Sequence, residues 1–399
     1  MPSTTQHPGD ALRADHSNKR PILSLQQSRE YLGRMLGDDM HANRVVSIAN
    51  GVTGVLAAPA LAIHAIGQAY ARLSHITPKS GVKQVDRLLS NDGVVLDEFF
   101  ACWVPYVVAQ RREIVVAMDW TEFDADDHST LCIYLVTTHG RATPLYWRTV
   151  TKSALKGQRT AIEQESVVLI DRALPDGVRT TLLADRGFGD QNLYEHLRSM
   201  AWDFIIRFRS NIQVEAKGET RPASEWVSPT GRARKLDGAF VTQDRYQVPA
   251  VVVVHAPAMK DSWCLATSQA DWQASMVVKM YGRRFTIEET FRDTKDLHFG
   301  MGLKATHIKT PARRDRLLLL VAVAHAMLTL LGAAAEAAGL DRYLKANTVK
   351  RRTHSLYRQG RYWYSCLPDM RLEWFVLLVR EYDKILRAHA ELAEVLWII

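Results

Sequence analysis

Between Arg112 and Phe208 the chain switches repeatedly between two hydrophobic periods, and the order of the switches constrains its fold more than any other feature. Glu113-Ile-Val-Val-Ala-Met-Asp119 is apolar on both faces, as a central strand is. Thr130 to Thr137 and Thr143 to Thr151 read as the next two strands, joined through His139-Gly140. Gln158 to Leu174 carries helical spacing and closes at Pro175-Asp-Gly177. Arg179 to Asp185 reads as a strand, Asp190 to Met200 as a helix, and Trp202 to Phe208 as another strand. A hairpin-linked triplet extended by crossover strands satisfies this order. The two strands that end in aspartate, at Asp119 and Asp185, then lie side by side and bring both carboxylates to one edge of the sheet.

That order is the order of the ribonuclease-H-like fold, and it assigns the chain to the α/β class. Around this unit the patterning is different. Residues 1–20 are polar and read as disordered, and residues 21–110 as a helical region punctuated at Ser80-Gly81 and Asn91-Asp-Gly93. One short basic helix there, with Lys79, Lys83 and Arg87, suits either a DNA-binding module or a helical packing domain. Residues 210–268 hold short alternating runs with Gly and Pro turns, which predicts a β-rich insertion. The ribonuclease-H-like core would then comprise residues 111–209 and 269–340, and residues 341–399 a helical C-terminal region. Leu317 to Ala335 imitates a membrane span, but it contains His325 and has no comparable second span, so it reads as a buried helix.

An aspartate that ends an apolar strand is costly to bury unless it meets a metal or a donor. Gly187 and Gly189, after Asp185, allow the tight turn that leaves the carboxylate at the strand tip. A third acid is placed by the stretch from Tyr281 to Lys295. Tyr281, Arg284, Glu288 and Lys295 fall within roughly 60° of one another around a helix, in a segment from Asp271 to Lys295 that reads as helical with a possible break near Tyr281. Such a row is ordinarily a solvated face. It acquires a purpose if the carboxylate holds a divalent metal while the cations hold phosphates beside it. Glu289 is the rival acid, but it lies about 100° further around.

The spacing Tyr-x2-Arg-x3-Glu-x6-Lys resembles the signature of the bacterial insertion-sequence transposases of family four, which belong to the Asp-Asp-Glu class. The Asp185-Arg-Gly-Phe188 segment is similar to the second-aspartate motif of the same family. The resemblance spans about residues 112 to 300 and is weaker on either side. It implies that Asp119, Asp185 and Glu288 are the catalytic acids and hold two ions of Mg²⁺, with Mn²⁺ able to substitute; oxygen-only ligands suit such hard cations. It implies 3′ nicking, a hairpin on the transposon end, hairpin opening and strand transfer. Tyr281, Arg284 and Lys295 would grip phosphates next to the scissile bond. Trp263 would stack on a base flipped from the hairpin, its alternative being a core residue of the insertion. Arg207, Arg209 and the run Lys350-Arg351-Arg352 are further candidate backbone contacts.

Composition agrees with a polyanionic partner. The 399 residues carry 51 Lys and Arg against 43 Asp and Glu, a formal charge of +8. Four scattered cysteines offer no metal-type pair and suggest a reducing compartment. The resemblance, with which this composition agrees, implies a cytoplasmic, nucleoid-associated bacterial cut-and-paste transposase, and the sequence reads as having no signal peptide and no membrane partner. It would act as a homodimer on double-stranded DNA, at terminal inverted repeats and on target DNA. A metal-dependent nuclease without strand transfer and a DNA-binding regulator remain as rivals, and a two-carboxylate sugar-cleaving enzyme is a remote one.

Overall fold

The computed structural model describes residues 24–392 apart from Asp38, Gln243 and Phe299. Residues 1–20, expected to be disordered, and the last residues of the C-terminal region, 393–399, lie outside the described residues. Five helices come first: α1 (Leu25–Leu36), α2 (Ala42–Ala57), α3 (Ile63–Ser74), α4 (Pro78–Leu89) and α5 (Leu96–Val108). Ser24 and Gln27 form a reciprocal capping box on α1, and Thr77 caps α4 ahead of a proline in its first turn.

The sheet begins with β1 (Glu113–Phe123), β2 (His128–Leu135) and β3 (Thr143–Thr151), which pair antiparallel in sequence. The short helix α6 (Lys152–Leu155) and the longer α7 (Arg159–Ala173) lead to β4 (Arg179–Ala184). Helix α8 (Gln191–Ser199) leads to β5 (Asp203–Phe208). β4 runs parallel to β1, and β5 parallel to β4. The spatial order β3-β2-β1-β4-β5 is that of the ribonuclease-H-like core. Most boundaries differ from the sequence reading by one or two residues, and the difference at β1 bears on the site. β1 does not end at Asp119 but continues to Phe123, because Trp120 to Phe123 stay paired with Leu131 to His128 on β2.

The next strands are β6 (Gln213–Ala216), β7 (Glu219–Pro222), β8 (Arg234–Asp237), β9 (Phe240–Val241), β10 (Tyr246–Gln247), β11 (Ala250–Val254) and β12 (Trp263–Thr267). These strands, within the stretch 210–268 read from sequence as a β-rich insertion, divide between two sheets. β10, β9, β6 and β7 make a separate 4-stranded sheet, while β12, β11 and β8 extend the core sheet beyond β5 to 8 strands. The reason is visible in β11, whose run Ala-Val-Val-Val-Val is buried at every position, as a strand covered on both faces requires.

The chain closes with α9 (Ala274–Gly282), α10 (Phe285–Lys295), α11 (Pro311–Ala337), α12 (Leu356–Cys366) and α13 (Leu372–Leu392). α11 is the one helix among the described residues that is long and apolar enough to cross a membrane, and its apolar window lies wholly inside the protein. It packs between β3 on one side and α2, α12 and α13 on others. The arginines of its first turns fasten it. Arg313 bonds Asp86 of α4 at 2.6 Å, and Arg316 bonds Asp92 at 2.8 Å. Arg314, fully buried, pairs with Asp126 and lies 3.7 Å over the Phe123 ring. These contacts hold the end of β1 against α11 and the N-terminal helices, and so fix the strand that carries Asp119.

Candidate active site

Asp119 sits where β4 leaves β1. The parallel register ends with Met118 beside Ala184, so Asp119 and Asp185 are the next residues on two neighbouring strands. Asp185 caps the turn that follows β4, its Oδ1 accepting the Gly187 N–H at 2.7 Å. A Cβ at Gly187 would lie 3.2 Å from that same oxygen, and one at Gly189 would lie 2.9 Å from the Cβ of Phe208. Glycine at both positions lets the turn close while the carboxylate stays at the tip.

The third acid arrives on α10. The helical segment breaks at Arg283–Arg284, between α9 and α10, but Arg284 stays right-handed helical (φ −53°, ψ −35°). Arg284 and Glu288 therefore keep one-turn spacing. The Arg284 guanidinium bridges two acids: Nη2 donates to Glu288 Oε1 at 2.5 Å and Nη1 to Asp119 Oδ2 at 3.3 Å. Its side chain is 5% exposed, against 21% for Asp119 and 46% for Glu288. The cation is thus the inner member of the cluster and the carboxylates the outer ones.

Burial pushes the Asp119 carboxyl up to about 6; Arg284 opposes this, while Asp185 and Glu288 add to it. Both other acids therefore act on Asp119 electrostatically. The donor set fits a hard divalent cation in kind, since it is all oxygen and Asp119 is destabilised as an anion by its acidic neighbours. Its spacing is that of an arginine-compensated cluster. Among the described residues no group of three or more His, Cys, Asp or Glu is placed to hold a metal ion. A cation shared by Asp119 and Glu288 needs the guanidinium to give up its place.

The rest of the row turns inward. Tyr281 is buried, edge-on to Trp263 at 4.9 Å, and burial pushes its hydroxyl up to about 12. Lys295 donates to Thr121 Oγ1 at 2.7 Å and to the Glu122 carbonyl at 3.1 Å, tying the end of α10 to β1. Glu289 points elsewhere, 3.1 Å from Arg292 and 3.8 Å from Arg141. Trp263 opens β12 and meets both Tyr281 and Phe285, the latter at 5.9 Å. It is half-buried, so its ring supports the α9–α10 break. Trp263→Ala is expected to lower stability by about 2–3 kcal/mol. An unchanged melting temperature would remove the ring from that supporting role.

Arg207 and Arg209 line a cleft of about 410 Å³ at the end of β5, together with Arg186, His255 and Lys260. Arg207 donates to the Ser262 carbonyl at 3.1 Å, whereas Arg209 is exposed. Sequence reasoning missed Arg186, His255 and Lys260. The first adjoins Asp185 in sequence and was legible; the other two reach the cleft only because β11 and β12 join the core sheet. Lys350, Arg351 and Arg352 are not tied to this group by any contact. Arg352 forms a two-pronged ion pair with Glu336 at the end of α11, at 2.8 and 2.9 Å, and the other two stand exposed beside it.

Residues 110–327, more than half of the chain, match the sequence model of a family described as "Transposase DDE domain". No curated protein matches the chain.

Proposed function

The chain belongs to the transposase DDE-domain family, and from that premise we propose that it is a cut-and-paste transposase of the kind found in family-four insertion sequences. A transposase of this class acts on DNA and depends on divalent metal ions for cleavage and strand transfer. The finer reading is ours. The single observation that carries it is the cluster at the junction of β1 and β4, where Asp185 and Glu288 both act on Asp119 and Arg284 bridges Asp119 and Glu288.

In this reading Asp119, Asp185 and Glu288 would hold two ions of Mg²⁺, for which Mn²⁺ would substitute, once Arg284 gives up its place between Asp119 and Glu288. Divalent ions held there would supply activation of the attacking oxygen and neutralisation of the leaving one in an in-line displacement at phosphorus. Water as nucleophile breaks the phosphodiester at the transposon end and leaves a 3′-hydroxyl. That hydroxyl then attacks a phosphodiester of target DNA, so one P–O bond forms as another breaks. Arg284 exchanges its carboxylate partners for a phosphate of the bound strand, with Tyr281 behind it and Lys295 at the far end of α10. Trp263, at the rim of the same aromatic group, offers a face to a displaced base. Arg207 and Arg209 follow the backbone into the cleft, and Lys350, Arg351 and Arg352 take a more distant stretch of DNA.

The N-terminal helices would bind the terminal inverted repeat. α4 turns Lys79, Lys83 and Arg87 to solvent, while its Asp86 is occupied by Arg313. Two ends cut together call for a homodimer on DNA, and the substrate places the protein in the cytoplasm, on the nucleoid.

The test supplies a duplex carrying the inverted repeat that flanks the coding region, with Mg²⁺ or with chelator. Metal-dependent nicking at the repeat end is expected, and a pre-cut end should be joined to target DNA. A protein that nicks but never joins is a nuclease, not a transposase. The same assay separates the adjacent glutamates. Glu288→Gln should abolish nicking and Glu289→Gln should retain most of it, because only Glu288 faces Asp119 across Arg284.

A further inference from the structure

Beside the two aspartates stands an arginine that this mechanism does not use. Arg159 occupies the first position of α7, a helix with no acid in its first turn. A cation there opposes the helix dipole, and an Arg placed one turn before a Glu is the weaker order of such a pair. The chain nevertheless clamps it. Its guanidinium lies 5.3 Å over the Trp120 ring and 5.8 Å over the Phe188 ring. Nε donates to Glu163 Oε1 at 3.1 Å, and the same oxygen accepts the Trp120 indole N–H at 2.7 Å. Glu163 is itself buried, its side chain 4% exposed, whereas that of Arg159 is 46% exposed.

The clamp engages the guanidinium through Nε and through its π face, and no hydrogen bond or ion pair of Nη1 or Nη2 is found among the described residues. Nη2 lies 3.7 Å from where a Gly187 Cβ would stand, and Asp185 Oδ1 lies 3.2 Å from the same point. Nη2 therefore lies beside the Asp185 turn, with no ion pair between Arg159 and Asp185 among the described residues. Both rings of the clamp follow the two aspartates in sequence, Trp120 directly after Asp119 and Phe188 at the end of the Asp185 turn. A buried carboxylate and two aromatic rings hold the guanidinium at this unfavourable helix position with Nη2 beside the Asp185 turn. Where local preference is broken at such a cost, a ligand for the broken element is the consistent explanation.

We propose that Arg159 is a phosphate-binding residue that holds the DNA backbone on the α7 side of the Asp119–Asp185 pair, across the site from Arg284, with Glu163 as its positioning residue. This rests on the transposase reading above. An oriented guanidinium edge suits two oxygens of one phosphate.

The experiment measures binding without metal, in chelator, so that catalysis plays no part. The probes are the terminal-repeat duplex and the same duplex trimmed at its cleavage end. With the full duplex, Arg159→Gln is expected to weaken binding about tenfold and to reduce the slope of log K against log salt by about 0.9, the value for one lost phosphate contact. With the trimmed duplex it should match the wild type. Arg198→Gln, which removes an equal charge from the exposed face of α8, should match the wild type on both. Arg159→Lys keeps the charge without the planar fork and should keep the wild-type slope, so the inference survives poor folding of the Gln variant. An unchanged slope for Arg159→Gln, an equal loss on the trimmed duplex, an equal loss in Arg198→Gln, or a reduced slope in Arg159→Lys each overturns it. If wild-type protein does not distinguish the terminal repeat from a scrambled duplex, the transposase reading fails instead.

Discussion

Asp119→Ala should eliminate Mg²⁺-dependent nicking, by at least a factor of about a hundred to a thousand, while binding of the terminal repeat is retained. The size of the effect follows from position. Asp119 is the only one of the three acids that lies both beside the Asp185 strand and within reach of the α10 guanidinium. Its removal breaks the link between β1 and the start of α10 and leaves Arg284 with Glu288 alone, while Lys295 still ties the far end of α10 to β1. Stability should change little, because two contributions oppose each other. Losing one partner of a buried arginine is unfavourable. Removing a carboxyl that burial has pushed up to about 6 is favourable at neutral pH, where the folded state must hold it as an anion. The sign is that of a raised acid: above its ordinary range the native state is penalised, and the penalty grows until pH passes about 6. A denaturing gel of the nicked strand, with a melting curve on the same sample, reads both quantities. Wild-type nicking by this variant would remove Asp119 from the catalytic set.

The core was legible because its signals are local. β3 spans Thr143–Thr151, as its β-branched and aromatic residues predict, and α7 differs from the sequence reading by one residue at each end. The Leu317–Ala335 run became a helix buried on all sides because apolar residues on every face leave no surface for water. What failed was non-local. Trp120 to Phe123 extend β1 because β2 is there to pair with them. The Ala250–Val254 run did carry the mark of a doubly covered strand, but nothing in sequence said that β5 would be its sheet partner through β12.

The acids followed the same division. Their types and order could be read from Asp119, the Asp185 turn and the Glu288 spacing. The inward turn of Arg284 could be read only in part. Its one-turn separation from Glu288 predicts that ion pair, whereas its bond to Asp119 depends on α10 meeting the end of β1. The Arg159 clamp was hidden for the same reason, since it needs β1, α7 and the Asp185 turn packed together.

The second large effect concerns the crossing of α11 and α12. A Cβ on Gly360 would lie 1.7 Å from the Leu328 carbonyl oxygen, and one on Gly332 would lie 1.9 Å from that of Leu356. The two glycines face each other, each virtual Cβ within 3.0 Å of the other residue's backbone nitrogen. The obstacle is helix backbone on both sides, so no rotamer change can relieve it. In an open helix, Gly→Ala stabilises by about 1 kcal/mol. Gly33, in α1 with nothing within 4 Å, should behave that way. At Gly360 the helices must separate instead, and the separation is felt along α11, which packs on the core sheet and the N-terminal helices together. Gly360→Ala should therefore cost at least about 3 kcal/mol, and Gly360→Val should prevent soluble folding, the upper end of what overpacking costs. Urea unfolding of Gly33→Ala and Gly360→Ala side by side tests this through the sign alone. The same one-carbon addition is expected to raise the midpoint in α1 and lower it in α12. A Gly360→Ala protein as stable as wild type would mean that α11 and α12 do not cross in backbone contact, and that the core sheet is braced in some other way.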